Sequence, residues 1–425
     1  MLGRTRDRYL LALRHQDYRT LWIANACAGG AAWALIIARG WLAYEITGGL
    51  LWSGIVTFAT MVPRLFATPV MGFLADQFDR QTVLRWTYTF NLAHNVVLAV
   101  LVMVGVTAGP GGLWVLMGLS LLNGTLRSGQ MTTTQSLIPN LVPREHLPNA
   151  IALNQATQQG SRVIGALALL PLLGLFNFNI AAAFWLCSGF YLVGLIQVTR
   201  ITTRSTGVID KDKSFARNLM AGFEYVYTRP QLLAMVLLVL AHCALTMSYE
   251  SMLPGISVDK LGSGIEGVSY LIAGVGIGAL AASIFIAGVQ SEVMRGRLFL
   301  FFGFSSAIGP ILLALSSNRE LSIAAMVIMG MNQAGFMTIS HAIIQSIIDD
   351  SVRGRVSGVY GVHVGGSMAV TNLINASMAD LFNAPVVLIA GGVLFMLAIS
   401  LSVGSFSLRR IYFPKAVAVP AVPAS

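Results

Sequence analysis

The stretch "GFLADQFDRQTVL", residues 72–84, sets Asp76, Asp79 and Arg80 between two apolar runs, each long enough to cross a bilayer. A charged turn in that setting reads as a loop between membrane helices, since about 20 apolar residues span the roughly 30 Å hydrocarbon layer. The rest of the chain repeats the pattern. Of its 425 residues 56% are hydrophobic and 10% charged, and the mean hydropathy is +0.73. Soluble domains carry about 25% charged residues, so a soluble fold is excluded. Twelve apolar segments are expected to form membrane helices, near 19–46, 51–75, 83–107, 112–138, 150–175, 179–198, 231–256, 264–289, 298–316, 321–348, 356–381 and 384–407. The first follows an arginine-rich tail and lacks a small-residue cleavage site, so it is not expected to be a removable signal peptide.

The formal charge of +10 raises the question of nucleic acid, and its distribution answers it. Of 27 lysines and arginines, 21 fall in the N-tail, the even-numbered loops and the C-tail. The odd-numbered loops hold only Lys260 and Arg319, and four arginines lie inside helices. This is the positive-inside distribution, with both termini expected in the cytoplasm. The basic charge reports topology, and no nucleic-acid partner is expected. Cys27, Cys187 and Cys243 sit far apart in apolar segments, without CxxC or His spacing. Neither a disulfide framework nor a metal site is expected, and no cofactor.

The longest non-membrane stretch, 199–230, lies at mid-chain. It opens with the polar run "TRITTRSTGVIDKDKS" and continues as "FARNLMAGFEYVY", where Phe215, Leu219, Phe223 and Val226 recur at helical spacing. This predicts an amphipathic helix on the inner membrane surface. The organisation expected is an N-terminal six-helix bundle over 1–198, a cytoplasmic linker over 199–230, a C-terminal six-helix bundle over 231–408, and a tail over 409–425. "QSLIPNLV" at 135–142 also echoes "QSIIDDSV" at 345–352, an offset of 210 residues. The expected fold class is therefore an all-α membrane protein with twelve transmembrane helices in two pseudo-symmetric six-helix bundles. A site at their interface near midplane belongs to one transporter architecture.

The 72–84 stretch resembles the loop signature between helices 2 and 3 of the major facilitator superfamily, at Gly72, Leu74, Asp76, Arg80 and Leu84. The resemblance implies that Gly72, Asp76 and Arg80 act as a conformational latch. Gln77, Gln81 and Asp79 depart from the usual pattern, and Asp-x-x-Asp-Arg is closer to the enterobactin-exporter and macrolide-efflux (transmembrane secretion effector) branch. "LRHQDYRTLWIAN" (13–25), "WLAYEITGG" (41–49), "LIPNLVPREHLPNAIALNQATQQGSRVIG" (137–165), "GFEYVYTRPQL" (222–232) and "RGRVSGVYG" (353–361) resemble that branch in order along the chain. At helix 5 Arg162 and Gly165 match a motif associated with proton antiport, but Ala166 replaces its proline.

A charge at the bilayer centre costs about 2.5–3.5 kcal/mol on insertion scales, so the embedded Arg39, Arg64, Arg127 and Arg162 need partners or water. Glu250 is the one clearly embedded carboxylate. Arg162, which also matches a family position, is read as structural, and Arg64 is left open between a structural and a functional role. Arg39 and Arg127, on helices that line the cavity in the superfamily, are read as substrate-binding, with Trp33, Asn332 and Gln333 adding stacking and hydrogen bonds. Arg39 and Glu250 stand 211 residues apart, close to the repeat offset, which predicts a pair at the outer gate with Glu250 as the proton-coupling group. His94, His242, His341 and His363 are read as packing residues. Gly274, Gly278, Gly361 and Gly365 form small-xxx-small pairs expected at close helix contacts.

These readings converge on a secondary active transporter. The expectation is a proton-coupled exporter of a small amphipathic molecule, anions among the candidates, such as a drug, siderophore or secondary metabolite, working by rocker-switch alternating access. Its expected partners are that small-molecule substrate, protons and the lipid bilayer, as a monomer in the plasma (inner) membrane. The alternatives are a lysolipid or other metabolite transporter without proton antiport and, remotely, an intramembrane transferase. No catalytic residue is assigned: no phosphate-binding G-x-x-x-x-G-K-[ST] loop occurs, and the six histidines are scattered.

Overall fold

The computed structural model describes residues 11–176, 179–205, 215–287, 291–348 and 353–413. Among them the chain is helical throughout, with no strand. In order, the helices are α1 (Gln16–Thr47), α2 (Leu51–Met61), α3 (Pro63–Gln77), α4 (Arg80–Met103), α5 (Pro110–Leu141), α6 (Leu147–Leu175) and α7 (Ala181–Thr199). Then follow α8 (Phe215–Tyr227), α9 (Pro230–His242), α10 (Leu253–Leu261), α11 (Ile265–Ala287), α12 (Glu292–Leu315), α13 (Arg319–Ile347), α14 (Arg353–Phe382), α15 (Ala384–Gly404) and α16 (Phe406–Tyr412). Each of the twelve apolar segments is helical. Eight stretches are long and apolar enough to cross a membrane: α1, α4, α7, the α9–α10 stretch, α11, α12, α13 and α15.

Helices α1–α7 pack chiefly on one another, as do α9–α15, and the two groups meet along α6 against α11 and α2 against α14. Glycines set the tightest crossings. A Cβ at Gly278 on α11 would overlap the Val327 carbonyl oxygen, and one at Gly330 on α13 would overlap that of Val275. Gly274 packs against the same helix, so the expected close contact forms there. The second pair behaves differently. A Cβ at Gly361 or Gly365 meets nothing within 4 Å, so those two glycines face open space and hold no helix contact.

The loops sort onto two faces. On the face bearing both ends of the helical array, Asp17 accepts hydrogen bonds from the backbone of Thr202 (3.1 Å) and Thr203 (2.8 Å) and from both hydroxyls. Asp79 caps α4 through Thr82 N–H (3.0 Å) and also accepts from Ser205 N–H (3.0 Å). The start of the bridge is thus pinned to α1 and α4. Residues 206–214 of the bridge lie outside the described residues, as do the α8 side chains of Phe215, Arg217 and Leu219. Val226 of α8 is fully buried, and Tyr227 docks on α14. The His363 Nδ1 hydrogen goes to the Val359 carbonyl (2.8 Å), which leaves Nε2 to accept from the Tyr227 hydroxyl (2.9 Å).

The opposite face is closed. Asp380, at the end of α14, accepts from Leu50 N–H (2.7 Å) and Leu51 N–H (2.8 Å) at the start of α2. Leu50 has no side-chain oxygen to cap that helix, so one group supplies the N-cap of the other, a favourable place for a carboxylate. Gly54 allows the approach, since a Cβ there would come within 2.6 Å of Ala376 Cβ. Lys260 donates to the carbonyls of Ala314 and Ser316 on the same face. Large apolar side chains cover the outside of the array, among them Ile284 (77% exposed) and Leu401 (78%). Such a surface suits lipid, because every helical backbone group is satisfied internally.

Candidate functional site

Three helical stripes build the site. On α1, Asn25, Gly29, Trp33 and Ile36 recur at i, i+4, i+8 and i+11, one face of a helix. On α5 the stripe is Arg127, Gln130, Met131, Thr134 and Gln135, and on α6 it is Asn154, Gln158, Ser161 and Arg162. With Met61 and Arg64 from the α2–α3 pair they enclose a cavity of about 240 Å³. The α9–α15 group contributes Met247, Glu250 and Met368. The carboxamides and threonines lie toward the face that carries the termini, where Gln135 and Gln158 are exposed. The arginines lie at mid-length. The cavity therefore opens toward the terminal face and is shut from the other by the Asp380 seam.

The charges concentrate at the inner end. The Arg162 guanidinium sits over the Trp33 ring, 4.3 Å from its centroid, a cation–π contact. Arg127 lies beside the Tyr191 hydroxyl, which also reaches Gln130 Oε1 (3.4 Å). The charges that act on Glu250 are Arg162, Arg64 and Arg127. Nε of each of these arginines and Oε2 of Glu250 are buried without a hydrogen-bond partner. Among the described lining residues, three guanidiniums face one carboxylate.

Glu250 reaches the cavity because its helix is broken. The α9 ladder widens into a π-turn over Cys243–Met247, passes Ser248 out of helical geometry, and resumes as a 3₁₀ turn at Glu250–Met252. Pro254 then occupies the first turn of α10, where a missing N–H is harmless. Neighbouring side chains satisfy the freed backbone groups. Gln333 Nε2 donates to the Thr246 carbonyl (2.7 Å) and Asn375 Nδ2 to that of Ser248 (2.7 Å). The Ser251 N–H donates to Asn372 Oδ1 (3.4 Å).

Of the residues singled out from sequence, Trp33, Arg127 and Glu250 line the cavity. Arg39 does not. It is 2% exposed, and its guanidinium donates to Leu35 O (3.3 Å), Ser120 Oγ (3.3 Å) and Asn123 Oδ1 (2.9 Å), within the α1–α7 group. The expected Arg39–Glu250 pair is absent because Ser120 and Asn123 of α5 hold the Arg39 guanidinium about one turn beyond Ile36, the last stripe residue of α1. Gln333 supports the helix break, and Asn332 Nδ2 donates to Ser305 O (3.2 Å); both are 2% exposed and outside the cavity lining. Arg162, read as structural, stands in the cavity instead, and so does Arg64, whose role the sequence left open.

The side chains of Gly72 and Asp76 lie outside the described residues. Arg80 donates to Ser136 O (3.0 Å) and Asn140 Oδ1 (3.1 Å), tying α4 to the end of α5. The histidines pack. His94 bonds Leu119 O (2.9 Å), His242 bonds Ser306 Oγ (2.7 Å) and stacks on Phe336, and His341 meets Tyr360 edge-on. The three cysteines are free, and the described residues hold no cluster of three or more His, Cys, Asp or Glu suited to a metal ion.

Solved structures share this architecture at low sequence identity. A POT family transporter in complex with 5-aminolevulinic acid is 10% identical with a TM-score of 0.74, covering 93% of this chain and 96% of that one. The human organic anion transporter MFSD10 (TETRAN) is 14% identical with a TM-score of 0.65, covering 91% and 98%. The fold is that of the major facilitator superfamily. Within it, the chain belongs to the transmembrane secretion effector family, whose profile matches residues 9–415. Its relatives include the multidrug efflux pump Tap of Mycolicibacterium fortuitum, 22% identical over 346 residues (80% of this chain, 83% of the relative). The MFS-type transporter YvqJ of Bacillus subtilis (strain 168) is 22% identical over 357 residues (82% and 83%). The family and these neighbours are transporters.

Proposed function

We propose that this chain is a secondary exporter that moves a small amphipathic anion out of the cell by rocker-switch alternating access. The observation that carries the reading is the convergence of Arg64, Arg127 and Arg162 on one cavity with Glu250 as their only described acidic neighbour there. Trp33, Ile36 and four methionines offer apolar surface beside the charges. Glu250, on the broken helix of the opposite group, is the proton-coupling residue, and the 72–80 stretch is the latch on the terminal face. The basic charge of that face supports a cytoplasmic location for it, in which the cavity loads from inside, as export requires. The efflux function of Tap supports the same direction. Uncoupled transport is the second reading, favoured by α6 running unbroken through Ala166, where the antiport motif has proline.

Two experiments test this. Single cysteines replacing exposed Arg204 and exposed Ala108 are expected to label from opposite sides of the membrane, Arg204 from the cytoplasm; labelling of Arg204 from outside would reverse the orientation. In inverted vesicles, the amphipathic anion anilinonaphthalene sulfonate is expected to accumulate and the cation ethidium not. Arg127→Gln is expected to weaken anion uptake about tenfold or more, and Arg127→Lys less, because lysine keeps the attracting charge but not the planar fork. Preference for ethidium would sink the anionic reading.

A further inference from the structure

The number of charges in the cavity says more than their sign. Arg64 comes from α3, Arg127 from α5 and Arg162 from α6, so three guanidiniums approach one space from three helices. Guanidinium charge is permanent. Glu250 is the single carboxylate among the described lining residues, and its Oε2 is buried without a hydrogen-bond partner. One carboxylate against three guanidiniums leaves two positive charges unbalanced. Each of the three also keeps a buried Nε–H without an acceptor. A bound group that ended this imbalance would carry two negative charges and offer at least three acceptor oxygens.

Resting on the anionic reading above, we infer that the cargo has a doubly charged, three-oxygen head group, that of a phosphate monoester, joined to an apolar body. Three guanidinium forks match three terminal oxygens, each fork able to present two N–H groups to the phosphate. A carboxylate or sulfate monoester leaves one positive charge unanswered. Trp33, Ile36 and Met131 are placed to cover the apolar body. Glu250 completes the count, and its loss would leave the cavity with three positive charges.

Isosteric probes separate charge number from charge sign. At pH 8, 1-naphthyl phosphate carries two charges, its second ionisation lying near pH 6, while 1-naphthyl sulfate carries one and 1-naphthol none. Binding to the purified full-length protein in nanodiscs is expected to favour the phosphate over the sulfate by about tenfold or more. Naphthol should bind weakest. Arg64→Gln is expected to bring the phosphate and sulfate affinities within about threefold of each other while sulfate still binds. Glu250→Gln should tighten both anions, the phosphate more. Sulfate binding as tight as phosphate in the wild-type protein overturns the two-charge head group and leaves the anionic reading standing. If neither anion exceeds naphthol, both readings fall.

Discussion

Flux through the Glu250→Gln variant is expected to lose all dependence on a pH gradient, while cargo binding and gradient-free exchange persist. Gln keeps the size and hydrogen-bonding capacity of Glu but cannot exchange a proton at neutral pH. Glu250 is the only acidic side chain among the described cavity residues, so no neighbour there can substitute for it. Its position on the 3₁₀ turn after a π-turn lets its α9–α10 stretch face the arginines of the other helix group. A carboxylate placed across the seam between two moving bodies is where protonation can bias an alternating equilibrium, since a ligand shifts such an equilibrium only by binding its two states unequally. The measurement is cargo accumulation in proteoliposomes with and without an imposed gradient, beside counterflow at equal pH. Persistence of the pH-driven component in this variant removes Glu250 as the carrier and favours uncoupled transport.

The second large effect concerns assembly. Gly278→Val is expected to destabilise the protein on the order of 3 kcal/mol or more, from overpacking of a site that has no room to give. The clash is with the Val327 carbonyl and the Met331 amide of α13, both backbone, and Gly330 faces Val275 in the same way. Neither helix can turn a side chain aside. Gly361→Ala is the matched control, because its new methyl meets nothing within 4 Å and alanine is the better helix former by about 1 kcal/mol. Thermal midpoints and the yield of monodisperse protein should fall sharply for Gly278→Val and hold or rise for Gly361→Ala. Equal behaviour of the two would refute the close α11–α13 crossing.

Hydropathy made the twelve apolar segments legible as helices, because burying unpaired backbone in lipid leaves the chain little choice, whereas α16 at the start of the tail was not expected. The cavity was legible in depth but not in azimuth. Trp33, Arg127 and Glu250 could be placed from their distance along a helix. Arg39 could not, since the Ser120 and Asn123 side chains that draw its guanidinium away from Glu250 stand 81 and 84 residues further along the chain. The periodic amides Asn25, Asn154 and Gln158 were the available signal for which faces turn inward, and they place Arg162 on the cavity side of α6. Gln333 and Asn375 carried no readable role, because the backbone carbonyls they serve become free only where α9 breaks. The cap that Asp380 gives α2 spans 330 residues of sequence. Local pattern has no access to a contact of that range.

Of the twelve apolar segments, those whose described residues fall outside the eight stretches long and apolar enough to span a membrane are the α2–α3 pair, α5, α6 and α14. They supply Arg64, Arg127, Arg162 and Met368 to the cavity. A segment with arginine at its centre partitions into lipid poorly by itself, at a cost of about 2.5–3.5 kcal/mol. During synthesis, α5 and α6 emerge consecutively, and the next strongly apolar segment is α7. Pairing as a hairpin, with α4 before it and α7 after it, would lower that cost for both. Biogenesis thus limits chemistry in this chain: each polar group added to the stripes of α5 or α6 to refine recognition makes the same two segments harder to insert.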